Sequence, residues 1–467
     1  MQIGRKDVAW NFAGTFMRVA SGLIVLPIVL RTFPKDEYGL WTIFIAVGAI
    51  VYLFDFGFSN ALGRNITYVF SGVKKLKAKG YIAAPDNDKS VDYGLLKSVI
   101  AATRKYYAVL AALFLLLFLI ASPFYLPYIL NSNHYAGSHQ TVWIAWLTFG
   151  IMVAYQLYTF YFGSLLMGRG MVKQYQQAII IGQVIRILTI YIMVLLGFGL
   201  IALVVGQFLG DFTARTICYR FFYDKNLKTE LAAASASNTN DILKIMLPNA
   251  ARMGIATLGN FLVSRTAIPI ASLFLSLETI GSFGITKQII DLICSLSAIW
   301  FVTFYPKITS HRVSNQSDHL KRMYIKGKIA LLFTFIVCGF GLTIFGADIL
   351  IFIKSQTNLL PQVMMIAMLI VAFLEANHGM SAQMLLTKNE VPFAKAAIIT
   401  GVVTILLLFG GLKYSHVGVW VMFLAPGIAN IIYQNWKWPL EVIKDLNITL
   451  KDYFLVSVSY FDFLKSR

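Results

Sequence analysis

The chain has 467 residues, of which 58% are hydrophobic and only 13% charged, and its mean hydropathy is +0.70. Because a soluble domain carries about 25% charged residues, this composition excludes an ordinary soluble protein and predicts an integral membrane protein. The formal net charge of +19 would suit a nucleic-acid partner, unless the basic residues follow the sidedness of a membrane topology.

Apolar runs of about 20 residues predict roughly twelve transmembrane helices along the chain. In order, these runs cover residues 9–30, 40–70, 106–127, 141–167, 176–197, 199–220, 245–272, 280–305, 327–350, 361–386, 394–412 and 417–436. The first run is predicted to be an uncleaved span, because Arg18 interrupts it and no small-residue cleavage site follows.

The basic residues between these spans are distributed unequally. With a cytoplasmic N-terminus, the outside loops hold only Arg31, Lys35, Lys354 and Lys413. The inside loops hold a dense run between residues 74 and 105 and many later lysines, Lys328 among them. This asymmetry predicts that both termini are cytoplasmic and that the number of spans is even. Since it accounts for most of the net charge, no nucleic-acid partner is expected.

A polar stretch at residues 224–241 separates the first six predicted spans from the last six. We therefore predict an N-lobe at 1–223, a cytoplasmic linker at 224–241, a C-lobe at 242–440 and a cytoplasmic or interfacial tail at 441–467. Residues 89–104 carry apolar side chains at helical spacing beside basic ones, which predicts a surface helix on the inner leaflet. The apolar run at 453–464 is also too short for a span.

Charged residues inside the predicted spans are the main functional signal. A charge at the bilayer centre costs about 2.5–3.5 kcal/mol, so such residues are expected to face a wet interior. Asp211 and Arg215, like Lys287 and Asp291, are spaced i,i+4 and are predicted to form ion pairs within a helix; a role in binding a ligand is the alternative. Five further arginines then face only two acids, Asp55 and Glu375. These arginines are Arg18, Arg64, Arg186, Arg252 and Arg265.

This excess of arginine predicts an anionic ligand. The planar guanidinium binds phosphate oxygens with two parallel hydrogen bonds and stays charged when buried, so a phosphate or diphosphate head group fits best. Asn11 lies on the same helix stripe as Arg18, and Asn260 accompanies Arg265 on the seventh span. Hydrogen bonding between helices in a packed bundle is the alternative interpretation of such stripes. For Arg64, extension of the side chain to the lipid head groups is also open.

Glu375, with Asn377 and His378 close by in the tenth span, is predicted to bind a proton or Na⁺; a salt bridge to an arginine is the alternative. The histidines and cysteines show no metal-ligand spacing, and no nucleophile or nucleotide-binding motif is complete. The sequence therefore predicts neither an enzyme nor a resident cofactor, and no metal site.

Residues 33–41, Phe-Pro-Lys-Asp-Glu-Tyr-Gly-Leu-Trp, lead into residues 55–61, Asp-Phe-Gly-Phe-Ser-Asn-Ala, and then Arg64. Together with twelve predicted spans and a central linker, this series resembles the Wzx-type polysaccharide flippases of the multidrug/oligosaccharidyl-lipid/polysaccharide (MOP) exporter superfamily. The motifs cover about the first 70 residues, whereas the layout covers the whole chain. The resemblance implies an all-α membrane protein with two six-helix bundles that form a V-shaped central cavity.

The resemblance also implies a function. Such a flippase moves undecaprenyl-diphosphate-linked oligosaccharide, for example an O-antigen repeat unit of lipopolysaccharide, from the cytoplasmic to the periplasmic leaflet of the bacterial inner membrane. It works by alternating access driven by an H⁺ or Na⁺ gradient. Membrane lipid and a polysaccharide polymerase complex are the further partners that the resemblance suggests.

We therefore expect a set of basic and amide side chains to bind the diphosphate and its sugars, and Asp55 or Glu375 to carry the coupling ion. The expected binding set is Arg18, Arg64, Arg186, Arg252, Arg265, Asn11 and Asn260. The alternatives are a lipid II flippase, a multidrug exporter of the same superfamily, which would need an acidic cavity, and a polysaccharide polymerase or ligase, which would need a large outside loop.

Overall fold

A computed structural model describes residues 5–55, 58–76, 90–235, 239–313, 316–388, 392–415, 417–449, 451–453 and 456. The regular secondary structure of these residues consists of helices alone, which confirms the predicted all-α fold class. The helices are α1 (Arg5–Thr32), α2 (Lys35–Gly48), α3 (Ile50–Asp55), α4 (Phe58–Phe70), α5 (Tyr93–Ser132), α6 (His139–Thr159), α7 (Tyr161–Gly168), α8 (Val172–Leu195), α9 (Gly199–Phe222), α10 (Lys225–Ala233), α11 (Thr239–Arg265), α12 (Ala267–Ala271), α13 (Leu277–Val313), α14 (Ser317–Phe352), α15 (Gln362–Leu386), α16 (Ala394–Tyr414), α17 (Trp420–Ile432) and α18 (Gln434–Asp445).

Nine helical segments among the described residues are long and apolar enough to cross a membrane. They contain 21 to 40 residues each, and at 1.5 Å per residue this length covers the roughly 30 Å of a bilayer core. The chain is thus a membrane protein with several spans. The total of twelve and the cytoplasmic position of the termini stay predictions.

Several predicted spans contain interruptions. The span predicted at 141–167 is divided at Phe160, whose N–H bonds to the carbonyl of Leu157, three residues back instead of four. The span predicted at 40–70 is divided among α2, α3 and α4, and residues 56–57 lie outside the described part. The helix predicted at 89–104 is present from Tyr93 onward, but it is continuous with the span that follows; its position on the inner leaflet stays a prediction. Residues from Tyr93 onward form the first turns of α5, whose N-terminus is capped by the Asp92 carboxylate.

Contacts divide the chain into two compact units, Met1–Thr257 (unit 1) and Leu258–Arg467 (unit 2). The lobes predicted from the sequence stay a prediction. Within the predicted linker, Lys225–Ala233 forms α10. Its first turn is capped by Asp224, which accepts from the Leu227 N–H at 2.8 Å and from the Arg169 guanidinium at 2.7 Å. The tail beyond residue 456 lies outside the described residues.

Small residues allow α8 to pack closely against α9 in unit 1. A Cβ added at Gly182 would lie 2.6 Å from the carbonyl oxygen of Gly210, and one added at Gly210 would lie 2.8 Å from Cβ of Arg186. On its other side α8 packs against α1, where a Cβ at Gly14 would overlap Gln176. Arg186 therefore lies where three helices meet.

The core of unit 2 is formed mainly by α13, α14, α15 and α18, with Tyr324, Met384 and Trp438 buried in it. At one end of this core, Asp445 accepts from Arg312 at 2.7 Å and from Lys388 at 2.5 Å. One carboxylate thus ties the last turn of α13 and the residues after α15 to the end of α18.

Candidate functional site

In unit 1 the structure places Arg186 in a network of neutral groups. Its guanidinium donates to Oε1 of Gln207 on α9 at 2.9 Å and to Oγ of Ser21 on α1 at 3.0 Å. Ser21 donates in turn to Gln183 at 2.7 Å. The Nε atom of Arg186 is buried and has no hydrogen-bond partner within the described residues. A buried donor without a partner is costly, so a ligand that supplied an acceptor for this N–H would be stabilised there.

The negative charge nearest to this network is that of Asp211, which is linked to Arg186 through Gln207. Asp211 accepts from Nε2 of Gln207 at 2.8 Å and also from Gln156. The ion pair predicted between Asp211 and Arg215 was wrong. Arg215 instead lies over the Phe160 ring, 5.6 Å from its centroid, and its Nη1 donates to the Phe160 carbonyl oxygen at 3.5 Å. Gln207 lies one turn before Asp211 on α9, at i,i+4 spacing, whereas Gln156 approaches from α6, which spacing along the sequence does not reveal.

The other predicted arginines of unit 1 are more accessible. Arg18 is exposed on α1, and its carbonyl oxygen accepts from Ser21, so Ser21 connects the Arg18 backbone with Arg186. Arg64 is exposed and lines a cavity of about 430 Å³ together with two tyrosines, Tyr68 and Tyr175. The side chain of Asn11 lies outside the described part of the chain.

Asp55 is enclosed by donors. It is buried at the end of α3 and accepts from the backbone N–H of Ser59 at 3.2 Å, from Oγ of Ser59 at 2.8 Å and from the hydroxyl of Tyr107 on α5. Such a carboxylate is well satisfied as an anion. The contacts favour a structural role for Asp55, joining α3, α4 and α5.

Glu375 lies instead beside a cavity of about 290 Å³ in unit 2. The same cavity is lined by Lys287 and Asp291, which form the predicted ion pair at 2.9 Å, so that prediction is confirmed. One Glu375 oxygen accepts from the amide of Asn430 at 3.0 Å. With one ammonium and two carboxylates around the space, the described charges fit a small cation rather than an anion.

The predicted residues on α11 have little contact with that cavity. Arg265 and Asn260 are exposed, and it is their neighbour Ser264 that lines the space beside Glu375. The side chain of Arg252 lies outside the described residues. Among the predicted arginines whose side chains the structure describes, Arg186 therefore makes the most hydrogen bonds to other side chains.

Sequence reasoning missed one residue, Lys328, which it assigned to an inside loop. In the structure Lys328 is part of α14, and its ammonium donates to the backbone and side-chain oxygens of Asn377 and to Ser381 on α15. The available signal was weak, since Lys328 immediately precedes an apolar run and Asn377 and Ser381 share one face of the tenth predicted span.

The chain is similar in structure to solved membrane transporters. An inward-facing multidrug resistance MATE family transporter of the MOP superfamily superposes with a TM-score of 0.63 at 14% identity, over 94% of this chain and 96% of that one. The lipid II flippase MurJ, in an inward closed conformation, gives 0.62 at 17% identity, over 97% and 90% of the two chains. The MATE multidrug transporter DinF-BH gives 0.53 at 13% identity, over 97% and 96%.

At these identities the similarity shows the fold alone, which the chain shares with these three solved proteins. No protein-family model matches the chain, and no curated protein matches it in sequence.

Proposed function

We propose that this chain is a flippase that transfers an undecaprenyl-diphosphate-linked oligosaccharide, such as an O-antigen repeat unit of lipopolysaccharide, across the bacterial inner membrane. The direction is from the cytoplasmic to the periplasmic leaflet, by alternating access. The observation that carries the proposal is the Arg186 site, where a guanidinium within the membrane is held by neutral partners and keeps an unused Nε donor.

A diphosphate suits this site for electrostatic reasons. Arg186 has no carboxylate within 4 Å among the described residues, so its positive charge is available to an anion. A ligand that supplied phosphate oxygens would satisfy Nε and compensate the cost of keeping the charge out of water. A cationic drug would gain nothing from such a group, which argues against a multidrug exporter.

The remaining predicted residues are assigned roles within this proposal. Arg18 and Arg186 bind the diphosphate, and Arg64, Arg252 and Arg265 contribute further positive charge. Asn11 and Asn260 bind polar groups of the head group or its sugars. No covalent step is proposed, so the chain is a transporter and not an enzyme. A polysaccharide polymerase complex is the proposed recipient of the product.

For the coupling ion, H⁺ or Na⁺, the contacts favour Glu375 over Asp55. Asp55 already accepts from Ser59 and Tyr107, whereas Glu375 lies beside a cavity that holds a second carboxylate. We propose that Glu375 binds the ion there.

Binding of undecaprenyl diphosphate to the protein in lipid nanodiscs, measured by native mass spectrometry, tests the proposal directly. Arg186→Ala should weaken binding at least about 10-fold, since hydrogen bonds to charged groups contribute about 1.5–3 kcal/mol each. Arg220→Ala is the matched control, because Arg220 is an exposed arginine on the same bundle, at the end of α9. Equal binding by both variants and the parent protein would remove the basis of the proposal.

A cellular assay identifies the sugar. Deletion of the gene should cause a lipid-linked glycan to accumulate on the inner leaflet and should remove a surface polysaccharide, while cell-wall synthesis continues. A lipid II flippase would instead arrest wall synthesis on deletion. Mass spectrometry of the accumulated lipid distinguishes the two, and accumulation of neither contradicts a flippase of this class.

A further inference from the structure

A cavity of about 430 Å³ in unit 1 lies between α4, α7 and the start of α8. Each of these helices contributes a polar side chain to its wall, namely Arg64 from α4, Ser164 from α7 and Tyr175 from α8. Within the described residues, none of these three side chains makes a hydrogen bond or an ion pair. Hydrogen-bonding groups without a partner thus come together from three helices around one space.

Two hydroxyl groups of the same wall are already used by the fold. Ser59 donates to the Asp55 carboxylate at 2.8 Å, and Thr67 donates to the carbonyl oxygens of Gly63 and Gly168, both at 3.0 Å. These bonds hold α4 to the end of α3 and to α7. The capacity to bind a ligand therefore resides in the three unpartnered groups.

The lining carries a net positive charge. Among the described residues that line the cavity, Arg64 is the one cation and no carboxylate is present. Asp55 is buried outside the lining, where it accepts from Ser59 and Tyr107. A guanidinium holds a carboxylate with two parallel N–H···O bonds, and a single carboxylate matches it in charge. A phosphate monoester carries about −1.5 to −2 and would stay partly uncompensated.

Two tyrosines give the cavity an aromatic wall as well. A Cβ added at Gly163 would lie 2.7 Å from Cε2 of Tyr175, so the absence of a side chain there lets the Tyr175 ring lie against α7. Tyr68 lines the cavity one turn after Arg64 on α4. The volume is within the range of about 300–1,000 Å³ that is usual for ligand sites. A sugar ring suits such a wall, because its C–H faces can pack on the rings while its hydroxyls meet the polar groups.

We propose that this cavity is a binding site for a hexuronic acid, a sugar that carries a carboxylate. Arg64 binds the carboxylate, Ser164 and Tyr175 form hydrogen bonds with ring hydroxyls, and the two tyrosine rings pack against the C–H face. The site follows from the cavity alone. Its use in transport rests on the proposed function, and there it names an acidic sugar as a component of the lipid-linked oligosaccharide.

The test measures binding of D-glucuronate and D-glucose to the full-length protein in micelles of a detergent without a sugar head group, by saturation-transfer NMR titration. Glucose lacks the carboxylate and should bind at least about 10-fold more weakly, since hydrogen bonds between charged groups contribute about 1.5–3 kcal/mol. Arg64→Gln should weaken glucuronate binding by a similar factor. The control is Arg220→Gln, at an exposed arginine of α9. Equal binding of the two sugars, or no binding of glucuronate, would overturn the proposal.

A second variant tests the space instead of the charge. A Cβ added at Gly63 would have only the Ser164 carbonyl oxygen within 4 Å, at 3.8 Å, so a larger side chain there extends into the cavity without displacing the backbone. Gly63→Leu should therefore abolish glucuronate binding and leave the Tm near that of the parent protein. Gly410→Leu, at an open position of α16, is the matched control. Full glucuronate binding by Gly63→Leu would place the ligand elsewhere and contradict the assignment.

A competing probe distinguishes a sugar from a phospholipid head group. The compound sn-glycero-3-phosphoglycerol carries one negative charge and hydroxyls but has no ring to pack against Tyr68 and Tyr175. We expect it to displace glucuronate at least about 10-fold less effectively than unlabelled glucuronate does, because the packing of aromatic side chains adds to the charge contact. Displacement at equal or lower concentration would assign the cavity to an anionic lipid and overturn the proposal.

The composition of the lipid-linked glycan separates this proposal from the proposed function. The glycan that accumulates when the gene is deleted should contain a hexuronic acid. An accumulated glycan without an acidic sugar would overturn the use of the cavity in transport and leave the flippase proposal intact. Equal diphosphate binding by Arg186→Ala and the parent protein would instead remove the basis of the flippase proposal, while glucuronate binding that depends on Arg64 would still establish the sugar site.

Discussion

At the scale of single residues, the charges inside the membrane helices differ in how they are satisfied. Asp55 accepts from several donors, Lys287 and Asp291 neutralise each other, and Arg186 and Lys328 are held by neutral groups. Charges that are neither paired nor exposed are expensive to maintain, so the last two are the strongest functional candidates.

Removing the Tyr107 hydroxyl tests the structural role of Asp55. In Tyr107→Phe the buried carboxylate loses a donor, and we expect unfolding to become easier by about 1.5–3 kcal/mol, the usual contribution of a hydrogen bond to a charged group. Thermal unfolding in detergent, followed by tryptophan fluorescence, measures the effect. Tyr191→Phe is the control, because Tyr191 is 52% exposed. Equal Tm values for both variants would refute a structural role for Tyr107 at Asp55.

The identity of the charged residues was predictable, whereas their partners were not. Hydropathy alone placed Arg186 and Glu375 within spans, and i,i+4 spacing correctly paired Lys287 with Asp291. The same rule failed for Asp211, because Gln156 lies on another helix and competes for the carboxylate. Lys328 was missed since its partners lie 49 and 53 residues further along the chain.

At the scale of helices, close packing in unit 1 depends on glycine. A methyl group at Gly182 would lie 2.6 Å from the Gly210 oxygen and 2.8 Å from Cβ of Ala214, which is too close for carbon. Gly182→Ala should therefore displace α9 and destabilise the protein by about 1–3 kcal/mol, as measured by a lower Tm in detergent.

Gly410 in α16 provides the matched control for that substitution. Nothing lies within 4 Å of a Cβ placed there, so Gly410→Ala should leave the Tm unchanged or raise it, because alanine favours a helix over glycine by about 1 kcal/mol. If Gly410→Ala lowers the Tm as much as Gly182→Ala, close packing is not the cause.

The Asp224 cap of α10 predicts a dependence on pH. The Leu227 N–H, and next the Arg169 guanidinium, hold the pKa of Asp224 below its ordinary value. Since the carboxylate has a lower pKa when folded, its stabilising contribution is complete above about pH 5 and is lost as the pH falls through the folded pKa. The protection of α10 against hydrogen exchange, taken relative to the intrinsic exchange rate at each pH, should thus fall in acid.

Substitution isolates this cap. Asp224→Ala should reduce the protection of α10 at neutral pH by about 0.5–2 kcal/mol, the usual cost of removing a helix N-cap, and the difference from the parent protein should disappear in acid. Asp241→Ala, at an exposed acid in the first turn of α11, serves as the control. A difference that persists unchanged below about pH 3 would contradict the assignment to the Asp224 carboxylate.

Helix boundaries show what an apolar run can and cannot reveal. Length and hydropathy located the spans now seen in α8, α15 and α16 to within a few residues. They did not reveal the interruption at Phe160 or the continuation of α5 toward Tyr93, since backbone hydrogen bonding and a capping carboxylate decide these positions. Hydropathy reports neither the backbone hydrogen bonding nor the capping of a helix.

At the scale of the whole molecule, the distribution of lysine and arginine predicts the sidedness of the loops. In a variant whose three cysteines are replaced by alanine, single cysteines at Asn133 and Asn358 should react with an impermeant maleimide in intact cells. A cysteine at Lys225 should react only after the membrane is opened. The reverse pattern would invert the predicted topology, and labelling of all three from outside would refute the three spans predicted between Lys225 and each asparagine.

The contacts of Asp445 have a mechanical consequence for unit 2. Because this carboxylate holds both Arg312 and Lys388, the ends of α13, α15 and α18 that meet there are fixed relative to one another. The cavity beside Glu375 lies well away along the same helices, about six helical turns from Arg312 when measured to Asp291 on α13. Any widening of that cavity should therefore be a rotation of these helices about the Asp445 contacts, with the largest displacement at the helix ends farthest from Asp445.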